Sequence, residues 1–414
     1  MTRDKRAVFA HIRANVGWTA RCRRGTDSDM SLLRDLYVSR GPAAGFAAVG
    51  VFWGSFAALV PVLKPQVGLS DGQFGLALLI TSIGAVMAMW LAPLAERGLG
   101  PRALAVLTAL LAGATLLPGH TTGGVTFTLA MLCVTMTSGT LDVAMNARVS
   151  ALEAQVRRSL MNLNHAVFSV AYAACALATG LAREVGFGPA AVLTGAAVVI
   201  GCLVLQAAAA PVADPELGAD EVEAAPLPWT LLLPGGMIIL IAFMSEQATE
   251  GWSALHLERN LGAGAAQGAL GPALLGITMA VGRLAGQIVA NRLSEKLVIR
   301  WASVTAGLGA TIAAAAPSLW VAYLGFSILG LGVSVMAPMA YAWIGRMVPN
   351  RYRSHAISRI SVVGYAGFFI GPPLMGFLSE GFGLSTSFAV IGGLLFAVTL
   401  ILLPVLSRAA LRRV

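Results

Sequence analysis

The sequence predicts an all-α membrane protein of twelve transmembrane helices in two pseudo-symmetric six-helix bundles. Three observations carry the prediction. Twelve apolar stretches of about 18 to 25 residues run from Ala43 to Ser407, and about 20 apolar residues in a helix cover the roughly 30 Å hydrocarbon core. Of the 414 residues, 57% are hydrophobic and 11% charged, where a soluble domain carries about 25% charged. One acidic spacer divides the stretches six and six.

The first bundle, residues 43–210, is read as spans 43–66, 73–95, 103–119, 123–146, 160–183 and 187–210. The second, residues 229–407, is read as 229–256, 266–290, 298–316, 320–346, 356–379 and 384–407. Gly- and Pro-rich connections such as Pro118-Gly119-His120 and Phe187-Gly188-Pro189 separate them, because Pro removes a backbone donor and Gly loosens the chain. No period-2 alternation with turn signals is present, which argues against a transmembrane barrel.

The flanking segments read differently. Residues 1–42 hold nine basic and four acidic residues and no apolar run. They lack the apolar core of a signal peptide and read as a disordered cytoplasmic extension. Translation starting at Met1 or at Met30 fits equally, and Asp4, Asp27 and Asp29 argue against a transit peptide. The spacer 211–228 has five acidic residues, no basic ones and four prolines, the composition of a flexible linker. Residues 408–414 form a basic tail. Cys22, Cys133, Cys175 and Cys202 show neither metal-ligand spacing nor a disulfide framework.

Charge sets the expected orientation. With the amino terminus inside, the periplasmic connections hold only Lys64, Arg183 and Arg259, leaving 25 of the 28 basic residues on or near the cytoplasmic side. The positive-inside rule then places both termini in the cytoplasm and the protein in the cell (inner) membrane. The net charge of +9 belongs to this asymmetry. It needs no nucleic-acid partner, although basic clusters beside the membrane could touch anionic lipid.

Ionisable groups inside spans are expensive, about 2.5 kcal/mol or more near the centre. Glu246 lies 17 residues past Trp229, about 25 Å along the helix and toward the periplasmic side. Glu250 and Ser253, at i+4 and i+7, share its face. Two carboxylates in one low-dielectric site resist ionising together, which suits a group that takes up and releases a proton. Glu246 is thus a candidate coupling or substrate residue supported by Glu250. The alternative makes Glu250 the wet end of the helix and Glu246 a bond to a neighbour. Asp142, a turn before Asn146, is either a gate or proton relay or a salt-bridge partner of Arg148 or Arg157. His165 opens span five beside Asn162 and Asn164. Arg283, among small residues in span eight, should face the bundle interior and a carboxylate or solute oxygen, or else snorkel to the cytoplasm. Glu96 and Arg97, with Arg102, read as a cytoplasmic latch between the halves. Glu153 and Arg157 read as a surface helix pair. Trp229, Trp301, Trp343 and Trp320 suit membrane interfaces, leaving Trp53 and Trp252 as cavity or packing residues.

The halves echo each other. Gly68-Leu69-Ser70-Asp71-Gly72-Gln73 is matched by Gly262-Ala263-Gly264-Ala265-Ala266-Gln267, and Ser169-Val170-Ala171-Tyr172-Ala173 by Ser361-Val362-Val363-Gly364-Tyr365-Ala366. Such repeats mark transporters whose halves rock about a central site.

These features resemble the major facilitator superfamily. Ala92-Pro93-Leu94-Ala95-Glu96-Arg97 with Gly100 and Arg102 is similar to its signature loop, with Glu for the usual Asp. Gly367-x-x-x-Gly371-Pro372-Pro373-x-x-Gly376 resembles its Gly/Pro-rich helix motif. Within the superfamily the chain resembles the MosC-like, fucose-permease-related branch, through Asp142-x-x-x-Asn146, His165…Ser169 and Glu246…Trp252-Ser253-Ala254. Gly251 stands where that branch has Asp, and the Arg often found in span one is missing around Leu59-Val60-Pro61. The resemblance implies that spans one and seven line the central cavity.

The expectation is a secondary active transporter moving a small organic solute, sugar- or polyol-like or another metabolite, by alternating access. The power source would be a proton gradient, with no bound cofactor and no metal, and the chain is expected to act as a monomer. No P-loop Gly-Lys-Ser/Thr motif is present to bind ATP. The alternatives are a proton-driven drug or metabolite exporter and a non-transporting sensor of the same fold. A membrane enzyme would need a convergent His/Asp/Glu cluster or a catalytic domain, and the five His residues are scattered.

Overall fold

A computed structural model describes residues 27–209, 229–290, 293–349 and 352–411. The spacer 211–228, most of the basic extension with Cys22, and Arg292, Arg351, Arg412 and Arg413 lie outside the described residues. The extension's described part contains a helix, Asp27–Val38, where composition suggested none. Leu33 and Tyr37 recur there at i and i+4, one side of a helix.

The remaining helices follow the twelve apolar stretches. In the first half they are α1 (Arg40–Gln66), α2 (Asp71–Leu99), α3 (Ala103–Leu116), α4 (Gly124–Val156), α5 (Met161–Glu184) and α6 (Pro189–Ala208). In the second they are α7 (Trp229–Leu261), α8 (Ala265–Ala290), α9 (Glu295–Ala314), α10 (Leu319–Met347), α11 (Arg353–Phe382) and α12, which runs Leu384–Ala397, through a π-helical turn at Val398–Leu402, to Leu403–Leu411. A 3₁₀ turn at Gly100–Arg102 joins α2 to α3, making Asp71–His120 one 50-residue helical stretch that contains two spans. Outward faces carry Trp90, Val198, Leu205, Val281 and Leu400, all exposed. An apolar surface of that extent is a lipid-facing one, and the protein is multi-pass.

Several helix starts explain themselves. Ser70 caps α2 with a capping box: its Oγ accepts from Gln73 N, and Gln73 Oε1 accepts from Ser70 N at 3.0 Å. In the repeat, Gln267 Oε1 accepts from Gly264 N at 3.1 Å at the start of α8. The chain enters these two turns through Gly68 (φ +67°) and Gly262 (φ +66°), the left-handed region that favours glycine. The sequence repeat is therefore a structural one. Glu153 does not pair with Arg157, which is exposed. Its Oε1 accepts from the N–H groups of Leu160 and Met161, at 2.5 and 2.8 Å, and so caps α5.

Between the bundles, α2 packs along α11, α5 along α8 and α1 along α7. Small residues allow the approach. Ala58, Ala173, Ala176, Ala269 and Ala273 form one buried cluster between α1, α5 and α8. In the Gly/Pro motif of α11, a Cβ at Gly376 would strike the Asp71 carbonyl of the opposite bundle, and one at Gly367 the Leu240 carbonyl of α7 within its own bundle. We call the end where α1 begins the near end, and the other the far end.

Candidate functional site

Charged and aromatic side chains from both bundles converge at mid-helix. The helix carrying Glu246 extends to Leu261, so Glu246 sits at its middle, not toward one end. It is thirteen residues before Arg259, about 20 Å below the far end. Arg283 of α8 reaches it, Nη2 donating to Glu246 Oε1 at 3.3 Å. Arg283 therefore faces the interior and a carboxylate. Glu250 lies one turn on, and its Oε2 accepts from Gln247 Nε2 at 3.1 Å. The burial of this group makes any charge there depend on its partners.

The first bundle faces this cluster with α5. Tyr172 is 1% exposed, its ring lies against Gly276 of α8, and it is within electrostatic reach of both Glu246 and Glu250. Its hydroxyl has no hydrogen-bond partner, nor has the fully buried Ser253 Oγ. His165 lies within electrostatic reach of Arg283 and packs edge-on against Phe46, ring centroids 4.9 Å apart. Four sequence candidates, His165, Glu246, Glu250 and Arg283, are thus brought together. Tyr172 was seen there only as part of a repeat.

Asp142 and Asn146 form a second group. Helix α4 runs on to Val156, so Asp142 lies within the helix rather than at its end. It does not pair with Arg148 or Arg157. Asn146 Nδ2 donates to its Oδ1 at 3.1 Å and to its backbone carbonyl at 2.8 Å. Asp142 is exposed in a helix whose packing face meets α2, and it is within electrostatic reach of Tyr365 in α11. It thus opens on the space between the bundles. Tyr365 belongs to an aromatic wall: Phe243 stacks on Phe368 at 4.6 Å and on Tyr365 at 5.7 Å. Trp53 is half-buried at the middle of α1, edge-on to Phe52 and Phe56. Trp252 is a packing residue instead. It is 1% exposed and edge-on to Phe74, which stacks on Phe127.

The near-end latch takes a different form from the one expected. Arg148 forks onto Glu96, with bonds of 3.1 and 2.8 Å, and its Nη2 also reaches the Gly100 carbonyl at 2.6 Å. This buried pair ties α2 to α4 within one bundle and does not bridge the halves. Arg97 and Arg102 are exposed. The second bundle repeats the device, Glu295 pairing with Arg346.

The bonds that join the bundles lie at the far end. Arg259 of α7 donates twice to Asp71 of α2, at 2.6 and 3.0 Å. Lys64 and Ser379 also bond that carboxylate. Arg183 of α5 places two 2.8 Å bonds on Glu258 of α7 and a third, 2.6 Å, on the Ala58 carbonyl. Two carboxylates then cap helices of the opposite bundle. Glu380 of α11 accepts from Gly72 N at 2.6 Å and Ser70 Oγ at 2.9 Å, and Glu184 of α5 accepts from Ala266 N at 3.1 Å. Each meets the positive end of a helix dipole. These bonds tie the bundles together at the far end, while Asp142 is exposed at mid-helix. Sequence reading missed this clamp, yet Lys64, Arg183 and Arg259, the three basic residues that broke the charge asymmetry, are its cations. Among the described residues, no group of three His, Cys, Asp or Glu side chains is placed to hold a metal ion.

Comparison with known proteins places this geometry. The chain matches the Major Facilitator Superfamily over residues 43–306 and 236–413. It is 30% identical to an uncharacterized MFS-type transporter of Yersinia pestis, covering 85% of this chain and 92% of that one. It is 27% identical to membrane protein MosC of Rhizobium meliloti, covering 81% and 82%. Among solved structures it is similar to a D-xylose-proton symporter, with a TM-score of 0.67, 14% identity and coverage of 90% and 97%.

Proposed function

The chain belongs to the major facilitator superfamily, and from that premise we propose that it carries a small organic solute across the cell (inner) membrane by alternating access, coupled to protons. A transporter of this kind has a small-molecule substrate and works in the lipid bilayer; it is not an enzyme. The observation that carries the coupling is the Glu246–Arg283 pair at mid-helix, with Glu250 one turn away. A guanidinium shared by two carboxylates lets one of them take a proton while the other stays paired. Losing the proton, or binding solute oxygens to Arg283, changes the balance of charge between α7 and α8. No nucleotide or other cofactor enters this scheme, and one chain suffices.

The solute class that fits the branch resemblance is sugar- or polyol-like, or another small metabolite. The similarity to a D-xylose-proton symporter supports that class and the proton as the coupled ion. The same cycle run outward would export a drug or metabolite. The near end, which holds Arg97, Arg102, Arg157, Lys296, Arg353 and Arg408, is cytoplasmic in this reading, as are both termini. The far-end clamp then closes the periplasmic side, and the conformation faces inward.

The test is a proteoliposome uptake panel of sugars, polyols and other metabolites under an imposed pH gradient, on the wild type and on Glu246→Gln. The expected result is gradient-dependent flux of at least one solute, uncoupled from the gradient in the variant. Flux that ignores both the gradient and the substitution refutes the coupling. No flux of any solute favours a sensor with a transporter's fold.

A further inference from the structure

The cleft between the bundles carries an excess of negative groups. Glu246 and Glu250 share a single guanidinium, Arg283, which is bonded to Glu246 and within electrostatic reach of Glu250, and Asp142 opens on the space between the bundles with Asn146 as its bonded neighbour. The bonds to Asp142 and Glu250 come from the amides of Asn146 and Gln247, and an amide brings a donor but no charge. His165 is the other ionisable group here, within electrostatic reach of Arg283 and edge-on to Phe46. Two further groups facing these carboxylates, Tyr172 and Tyr365, are phenols, and Tyr341 lies beside Tyr365.

Two further features point to a ligand. The buried hydroxyls of Tyr172 and Ser253 have no partner. A buried polar group left so costs about 1–3 kcal/mol, a cost that a bound partner removes. The Phe243–Tyr365–Phe368 wall offers ring faces within reach of Asp142, and a cation over such a face is attracted by the ring quadrupole.

We infer that the solute of this cleft carries a positive charge: it is an organic amine in its ammonium form, its charge set against Asp142 and its apolar part against the Phe243–Tyr365–Phe368 wall. The ammonium N–H groups supply the donors that Asp142 lacks. The inference rests on the transport reading in so far as it names what the cleft carries. It also joins cargo to coupling, since a carboxylate that holds a proton no longer attracts an ammonium group.

The test measures equilibrium binding to the full chain in nanodiscs, without any gradient. Three probes share one ring and differ in charge: phenethylamine, its neutral N-acetyl derivative and the anionic phenylpropionate. The expected result is saturable binding of the amine at least tenfold tighter than of either other probe. Asp142→Asn should abolish that preference and Asp142→Glu should keep it. Acidification should weaken amine binding to the wild type, a readout that needs no variant to fold. Equal binding of the three probes, a preference for the neutral or anionic one, no saturable amine binding, or a preference unmoved by Asp142→Asn overturns the inference. Saturable amine binding with no flux of any solute in proteoliposomes would instead leave this inference standing and remove the transport reading.

Discussion

Arg183 and Glu258 meet through two parallel 2.8 Å bonds, and they belong to different bundles, α5 and α7. A forked pair of this kind is directional as well as strong, and its two side chains are 6% and 18% exposed. It joins the bundles at one end of the molecule alone.

Arg183→Ala should therefore loosen the far end. Cysteines placed at the exposed positions Val185 in the first bundle and Phe382 in the second report the separation by double electron–electron resonance, in a background free of native cysteines. The wild type should give a single distance, and the variant an added longer component. An unchanged distribution means the pair does not hold the bundles together.

Arg283 and Glu246 should show energetic coupling. Arg283→Ala leaves a carboxylate at mid-helix without its cation, a loss of about 1.5–3 kcal/mol for a charged hydrogen bond, and should lower the melting temperature of the purified protein. Adding Glu246→Gln removes the stranded charge and should recover most of the loss. Simple addition of the two single effects would show that the groups do not interact.

The near-end charges should separate sharply in importance. Glu96→Ala strands the buried Arg148 guanidinium, and removing one partner of a buried pair costs about 3–5 kcal/mol. Arg97→Ala, at an exposed position, should stay within about 0.5 kcal/mol. Thermal unfolding in detergent checks both, and equal effects would contradict the assignment of Arg148 as the partner.

Tyr172→Phe should part stability from binding. The hydroxyl has no partner in the structure, so its loss should leave the melting temperature unchanged or raised. Affinity for the transported solute should fall several-fold. A fall in stability with no change in affinity would make the residue a packing element.

The twelve spans were legible because each is an apolar run of membrane length, and the repeat was legible down to Gly68 and Gly262. Span ends were not. The apolar window of span four closes at Asn146, where charged residues begin, yet α4 continues to Val156, since a helix need not stop where its lipid contact does. That overrun is why Asp142 seemed terminal and was offered Arg148. The true partner of Arg148, Glu96, is 52 residues away, on a different helix. The far-end pairs are more remote still, 188 residues for Arg259 with Asp71 and 75 for Arg183 with Glu258. Local spacing carries no trace of such pairs. Trp252 shows the converse: its position in span seven left a cavity role and a packing role both open, and only the contact with Phe74 favours packing.

The two carboxylate caps, Glu380 on the start of α2 and Glu184 on the start of α8, are related by the same repeat that relates the bundles, so the pseudo-two-fold axis passes between them. A rocking motion that parts the bundles at that end stretches both caps by the same amount, and neither can serve as a hinge while the other lets go. In the proposed alternating-access cycle, opening would then be a single cooperative event, with the dwell time of the closed state set by both caps jointly.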